Sequence, residues 1–486
     1  MAYALLALLV APALAAVVSV FLPRWAVEAL AVVVGGGSFA VAIILVGNPR
    51  VDALNGWLSV DALAVVFLLA VSFLYFLTMV FTIGYLRAED QSTETWRRGR
   101  LLFVGLHLFC WAMLVAPLMS SLALLWVAIE VTTVVSALLV ALDGTKRASE
   151  AAWKYVLIAS MGLGIALLGT VVLYYAGSAV LGTHYDLFFT QVLRAAHRLP
   201  PQVVRLADVL AVVGFGTKVG WVPMHTWLPD AHSEAPTPVS TLLSGALLAV
   251  SFYAVLRYFE ITERAVGAGF PRAVLLGFGL ASLLLAALSV AGQRDVKRLL
   301  AYSSIEHMGI LAVGMSFGAT VAVAGVLLQV LGHAAAKGTS FFGAGTLLRR
   351  FGTKDLGRIK GAISLLPRSG PMLVLALLGL SGLPPFGIFR SELMIVEGGL
   401  LDPDGSAVVV VVVLVLLAFA GLLWTTGRAL LSPAARPRPA RASEPSRWMA
   451  GAMFLGLVGL AVLGVHPPEQ LLVLLDHAAR QLGAGR

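Results

Sequence analysis

The sequence predicts an all-α polytopic membrane protein. About 14 transmembrane helices are expected, with two inverted five-helix repeats and discontinuous helices 7 and 12. Three observations predict this. Of 486 residues, 59% are hydrophobic and 12% charged, whereas soluble domains carry about 25% charged residues. Apolar runs recur at lengths of about 20 residues, which is what a helix needs to cross a bilayer. Two of these runs are broken by prolines, and the breaks lie five spans apart.

In order, the spans are expected near 3–22, 25–46, 60–85, 101–118, 121–142, 152–176, 207–232 (broken), 238–258, 272–292, 297–318, 321–348, 366–399 (broken), 406–431 and 447–465. The first run, MAYALLALLVAPALAA, has the small residues of a signal-peptide cleavage site but no positive n-region. It reads as a retained helix. The stretch 177–205 is longer than the other loops, and LFFTQVLRAAHRL within it reads as an amphipathic surface helix.

Orientation follows from Lys and Arg in the loops. Arg87, Arg97, Arg98 and Arg100 follow span 3, and Lys146 and Arg147 follow span 5. Arg294, Lys297 and Arg298 follow span 9, and Arg349, Arg350, Lys354, Arg358 and Lys360 follow span 11. Arg428, Arg436, Arg438, Arg441 and Arg447 follow span 13. Odd-numbered loops therefore face the cytoplasm, and both termini face outward. This pattern also accounts for the net charge of +9 without nucleic acid as a partner. Span 7 breaks at Pro223 and Pro229, and span 12 at Pro384 and Pro385. Five is odd, so a repeated five-helix unit enters the membrane inverted the second time. The expected organisation is 1–100 for helices 1–3, 101–260 for the first repeat, 271–431 for the inverted second repeat, and 432–486 for a Pro- and Arg-rich linker, helix 14 and a short tail.

Cys110 is the only cysteine. That excludes a disulfide framework and any iron–sulfur cluster held by this chain alone. There is no Rossmann glycine pattern after a strand and no P-loop, so no cofactor is expected in this chain.

The residues that stand out are charges at membrane depth, each costing at least about 2.5–3.5 kcal/mol. Glu130 lies mid-span in LLWVAIEVTTVV. Lys218 precedes the first break, in GFGTKVGWVPMHTWLPDAHSEAPTPVS. His333 and Lys337, four apart, share one helix face, and Glu392 follows the second break. Titratable groups in such a row suit a proton relay. A carboxylate about 4 Å from an ammonium is worth roughly 4 kcal/mol at an effective dielectric near 20. Movement of Glu130 relative to Lys218 would thus load or unload a proton. A static Glu130–Lys218 pair, a packing role for His333 and a helix-capping role for Glu392 are the alternatives. His225, Asp230, His232 and Glu234, with His307 after SSIE, are expected to form a turn network gating the cytoplasmic mouth; their spacing matches no metal signature. Asp61, His107, Lys154 and Asp208 are expected at the interface, and Trp221 and Trp227 as packing residues.

GTKVGWVPMHTWLPDAHSEAPTPVSTLLSG, LLAYSSIEHMGI and LSGLPPFGIFRSE resemble the antiporter-like, proton-conducting membrane subunits of respiratory complex I and membrane-bound hydrogenases. YSSIEHMG and HSEAPTPVS look closest to component F of hydrogenase-4-type complexes, itself similar to the complex I subunit M. The resemblance covers nearly the whole chain. It implies a hydrated central axis and matches Glu130 to the family's span-5 glutamate and Lys218 to its span-7 lysine. It places His333 and Lys337 in the central connection and Glu392 at the span-12 exit. One departure is in span 8, where complex I members usually carry a lysine four residues before a tyrosine. Here the tyrosine is Tyr253 and the earlier position is Ala249, so the relay must pass by water, Ser251 or another residue.

The resemblance implies a proton-translocating subunit of a hydrogenase-4- or complex-I-like respiratory complex in a prokaryotic cytoplasmic membrane. Its partners would be other membrane and peripheral subunits, the lipid bilayer and protons. The alternatives are an Mrp-type cation/proton antiporter subunit, the proton-channel partner of an inorganic-carbon uptake complex, and a non-conducting scaffold.

Overall fold

The computed structural model describes residues 2–89, 92–401, 405–432 and 443–483. Most of the expected linker after span 13, including Arg436, Arg438 and Arg441, lies outside the described residues. The chain is built from helices. The one sheet among the described residues is an antiparallel hairpin, β1 (Val51–Ala53) and β2 (Leu58–Val60), with Val51 opposite Val60.

Three helices lead: α1 (Ala2–Ser19), α2 (Arg24–Val46) and α3 (Ala62–Arg87). Next come α4 (Thr93–Val115), α5 (Leu122–Val140), α6 (Lys146–Leu181) and the short α7 (Phe189–Ala195). The first broken helix is α8 (Pro201–Val219) plus α9 (Trp227–Glu234). It is followed by α10 (Thr237–Leu242), a π turn at Leu243–Leu247 and α11 (Leu248–Val266), which run on as one stretch. Then come α12 (Gly269–Val290), α13 (Val296–Phe317), α14 (Thr320–Phe351) and the single turn α15 (Ala362–Leu365). The second broken helix is α16 (Ser369–Leu380) plus α17 (Gly387–Leu400). The chain closes with α18 (Ser406–Leu430), α19 (Arg447–Val465) and α20 (Glu469–Gln481).

Eleven helical stretches among the described residues are long and apolar enough to cross a membrane. The three remaining expected spans differ for physical reasons. Those at 207–232 and 366–399 are each split into two shorter helices. That at 297–318, α13, has the length but carries Ser303, Ser304, Glu306 and His307. The core is built on α3, α10–α11 and α14, whose most apolar windows are 89%, 100% and 94% buried, against 28% for α2 and 33% for α18. Residues on α14 are therefore shielded from lipid by protein on every side.

Local chemistry sets the ends that matter. Asp61 caps α3 by accepting from the Ala64 N–H at 2.9 Å. Asp295 starts α13 by accepting from Lys297 at 2.8 Å and Arg298 at 3.2 Å. Both are side-chain N-caps. The stop of α8 is Gly220, with φ +88°. A side chain there would be strained and would also meet Leu228 at 2.5 Å. Helices α6 and α8 cross on small residues: a Cβ on Gly214 would lie 2.4 Å from the Ala166 nitrogen. That close approach is typical of membrane helix pairs, and it presses the Lys218 end of α8 toward its neighbours.

Candidate functional site

The first broken helix holds Lys218 in its last turn, fully buried. Its ammonium donates to the Ile129 carbonyl at 2.9 Å, to Thr132 Oγ1 at 2.7 Å and to Thr133 Oγ1, all on α5. Glu130 sits on the same turn of α5. One of its carboxylate oxygens accepts from Ser160 Oγ on α6 at 3.0 Å; the other is buried without a hydrogen-bond partner among the described residues. Lys218 and Glu130 are thus brought to one turn of α5, but the ammonium is held by neutral oxygens and makes no ion pair with the carboxylate. The broken backbone is satisfied by indoles. Trp227 Nε1 donates to the Thr217 carbonyl at 2.8 Å, and Trp221 Nε1 to the Met308 carbonyl of α13 at 2.8 Å. Both tryptophans pack as expected; Trp227 also covers a carbonyl that the end of α8 leaves open, while Trp221 ties the break to the middle of α13.

A second buried group lies on α13, α14 and α17. Lys337 donates to the Leu300 carbonyl at 2.8 Å and to Ser303 Oγ. The His333 and His307 rings meet edge to face at 5.2 Å. His307 Nδ1 lies 3.0 Å from Gln329 Nε2, which also reaches Glu392 Oε1 at 3.5 Å. Ser391 Oγ donates to Gln329 Oε1. Glu392 lies over the second break: a Cβ on Gly382, φ +70°, would stand 2.3 Å from its carboxylate. A cavity of about 300 Å³, lined by Glu392 and otherwise mainly by apolar residues such as Ile310, Phe389 and Val415, opens beside it. His333, Lys337 and Glu392 therefore belong to one polar group. His307, expected at the mouth, is in that group instead, because it lies about three turns inside α13, which begins at Val296.

Ser244, on the π turn between α10 and α11, joins the second group. His333 Nε2 lies 3.2 Å from the Ser244 carbonyl, and Ser244 Oγ is 2.7 Å from Ser304 Oγ on α13. π turns recur at functional sites because they displace backbone groups from the regular ladder. Ser251, one option for passing span 8, bonds its own helix at the Leu247 carbonyl, 3.0 Å away.

The expected mouth residues are not one cluster. Asp230 pairs with Arg298 and, at 3.6 Å, with Lys154. Glu234 pairs with Lys354 at 2.8 Å, and Lys354 also reaches Asp295 at 3.3 Å. These groups line a cavity of about 350 Å³ at the Lys/Arg-rich end, and they tie α9 to α13 and the loop after α14. His232 points the other way, fully buried, with Nδ1 2.8 Å from the Leu228 carbonyl and its ring against Phe341. His225 is half-exposed in the break. Among the described residues no group of three or more His, Cys, Asp or Glu could hold a metal ion.

Lys154 is at the surface as expected. His107 and Asp208 are buried, bonded to Tyr75 Oη at 2.5 Å and Thr262 Oγ1 at 3.0 Å. Asp61 joins a cluster at the opposite end, where Arg257 donates to it at 2.7 Å and Gln481 at 2.7 Å. The same guanidinium bonds Tyr253 Oη at 3.0 Å and lies 3.6 Å from Glu260. Sequence reasoning missed Ser244, Ser304, Glu306, Gln329, Arg257 and Glu260. Gln329 and Glu306 carried a signal, each being a polar residue inside an apolar run.

The model of the NADH:quinone oxidoreductase/Mrp antiporter transmembrane family matches residues 119–419, which is more than half of the chain. The chain belongs to this family. One relative, the hydrogenase-4 component F homolog of Methylacidiphilum infernorum (isolate V4), is 32% identical over 438 residues, 88% of this chain and 89% of the relative. A chain of the membrane-bound sulfane sulfur reductase, an archaeal respiratory membrane complex, superposes with a TM-score of 0.84 at 21% identity, covering 98% of each chain. A chain of respiratory complex I from Thermus thermophilus superposes with a TM-score of 0.81 at 22% identity, covering 99% of this chain and 100% of that one. At these identities the superpositions show a shared fold. This antiporter-like membrane subunit thus keeps its family's fold, with Glu130, Lys218, His307, Gln329, His333, Lys337 and Glu392 inside the matched region.

Proposed function

We propose that this chain is the proton-translocating subunit of a hydrogenase-4- or complex-I-like respiratory complex. The observation that carries the reading is the buried polar row itself. Glu130 and Lys218 stand at one break, and Lys337, His333, His307, Gln329 and Glu392 lead to the other, inside a largely apolar core. The hydrogenase-4 assignment is supported by the 32% identity with the component F homolog.

In this reading the chain has fourteen spans, with α8–α9, α13 and α16–α17 completing the eleven. Residues 101–260 and 271–431 are inverted five-helix units, flanked by 1–100 and 432–486. Both termini lie outside a prokaryotic cytoplasmic membrane. The Asp230–Arg298 and Glu234–Lys354 pairs, with His225 nearby and His232 behind them, form the cytoplasmic mouth.

The mechanism follows from positions. A proton on Lys218 is held by Ile129, Thr132 and Thr133. When Glu130 approaches, its charge favours keeping the proton; when it withdraws, the buried ammonium loses that support and releases it. The proton passes by water and Ser244 to His333 and Lys337, and leaves through His307, Gln329 and Glu392. Other subunits hold the redox centres and supply the work, about 2.3 kcal/mol per charge per 100 mV.

Copurification of the tagged chain from native membranes, read by mass spectrometry, tests the assignment. Hydrogenase or complex-I-like redox subunits support it. Other Mrp subunits with sodium-dependent transport, or a soluble zinc protein without redox subunits, would replace it with antiport or with gradient-driven carbon uptake.

A further inference from the structure

Glu306 is buried, 7% exposed, in the middle of α13, and the row described so far does not use it. Its surroundings repeat those of Glu130. Lys218 rests on α5 through one backbone carbonyl and two hydroxyls, on the turn of Glu130. Lys337 rests on α13 through one backbone carbonyl, Leu300, and one hydroxyl, Ser303. Ser303 is three residues before Glu306, so the two share a helix face. Helices α5 and α13 are each the second helix of their five-helix unit. In both units, then, a lysine from a different helix lies on the carbonyls and hydroxyls of the second helix, about one turn from a glutamate of that helix.

We propose that Glu306 exchanges protons with Lys337, so that the chain contains two glutamate–lysine units in series. The proposal rests on the relay reading above and adds a residue to it. The step balances simply. The Lys337 ammonium gives its proton to the Glu306 carboxylate, leaving a neutral amine and a carboxylic acid. Glu306 passes the proton by water to the Glu392 carboxylate, which Gln329 orients by donating to it, and is ionised again. Ser303, which bonds the Lys337 ammonium, stands three residues before Glu306 on α13. The charged groups near Glu306 are Lys337 on α14 and Glu392 on α17, and His307 follows it on its own helix. Like charges cannot crowd such a site without cost, so a carboxylate pair here favours one shared proton moving between them.

The test is proton uptake driven by an imposed potassium diffusion potential, in vesicles holding the assembled complex. Glu306→Gln, Glu306→Asp and Lys218→Met are compared, with subunit content measured on the same samples. The expected result is that Glu306→Gln lowers flux about 10²-fold, as loss of a positioned proton carrier does, with normal assembly. Glu306→Asp keeps the charge but draws the carboxyl back, and lowers flux about 10- to 100-fold. Normal flux in Glu306→Gln, while Lys218→Met is inactive, would overturn this proposal alone. Normal flux in Lys218→Met would overturn the relay reading and this proposal with it. Where Glu306→Gln does not assemble, Glu306→Asp decides: reduced flux in assembled complex supports the proposal, and unchanged flux overturns it.

Discussion

The Lys218 ammonium rests on the Ile129 carbonyl, 2.9 Å away, on the turn of α5 that carries Glu130. Neutral oxygens of α5 hold it without an ion pair to that carboxylate, and Glu130 bonds Ser160 instead. This geometry lets the two charges approach or part without the lysine leaving its seat. Hydrogen bonds to charged groups are worth about 1.5–3 kcal/mol each. Combined Thr132→Val and Thr133→Val should therefore impair proton uptake more than either change alone. Voltage-driven uptake in vesicles checks this; wild-type flux in the double variant would contradict it.

The Gln329 side chain reaches both His307 and Glu392. Gln329→Leu keeps much of the volume and removes both contacts. Proton flux should fall about 10²-fold while the complex assembles normally. Gln329→Glu, which can carry a proton itself, should recover part of it. Stopped-flow uptake with a trapped pH dye measures both, and equal flux in Gln329→Leu and wild type would count against the path.

Gly382 faces the Glu392 carboxylate in a left-handed backbone conformation. Gly382→Ala adds strain of order 1–3 kcal/mol and drives a methyl into that carboxylate. The expected outcome is slowed proton release with little loss of assembly. Gly427→Ala, where the nearest atom lies 4.0 Å from a new Cβ, is the matched control and should change nothing.

The Asp61–Arg257 cluster supports stability. Arg257 is 5% exposed and bonds Asp61 and Tyr253. Arg257→Ala removes the shared cation of Asp61 and Glu260, while Arg264 stays 3.4 Å from Glu260 and Gln481 stays on Asp61, so the cost falls below the about 3–5 kcal/mol of breaking a fully buried pair. Thermal unfolding in detergent should show a clear drop in midpoint. Arg257→Lys should recover only part of it, since an ammonium cannot reproduce the forked contacts. An unchanged midpoint in Arg257→Ala would show that the cluster carries no load.

Much of this was legible in sequence. The eleven long apolar helices follow from hydropathy, and both breaks from proline. Glu130, Lys218, His333, Lys337 and Glu392 stood out because charge inside an apolar run is costly. What was not legible depended on how helices cross. Ser244 matters because a π turn brings its carbonyl to His333. Asp230 and His232 share the short helix α9 but face opposite sides, one toward Arg298 and one toward Phe341. SSIEHM falls inside the expected span 297–318, as it does in α13, yet only the packing of α13 on α14 shows that His307 faces His333 and Gln329. Arg257 and Glu260 gain a shared role only through their pairing and the packing of Arg257 on Asp61.

The central claim is that Lys218 carries the translocated proton. It is tested most directly by proton uptake under an imposed membrane potential in vesicles containing the assembled complex, comparing wild type with Lys218→Met. The account predicts wild-type subunit content with flux lowered about 10²-fold or more. Wild-type flux in Lys218→Met at equal assembly would contradict it and leave Lys218 as a buried strut between α5 and α8.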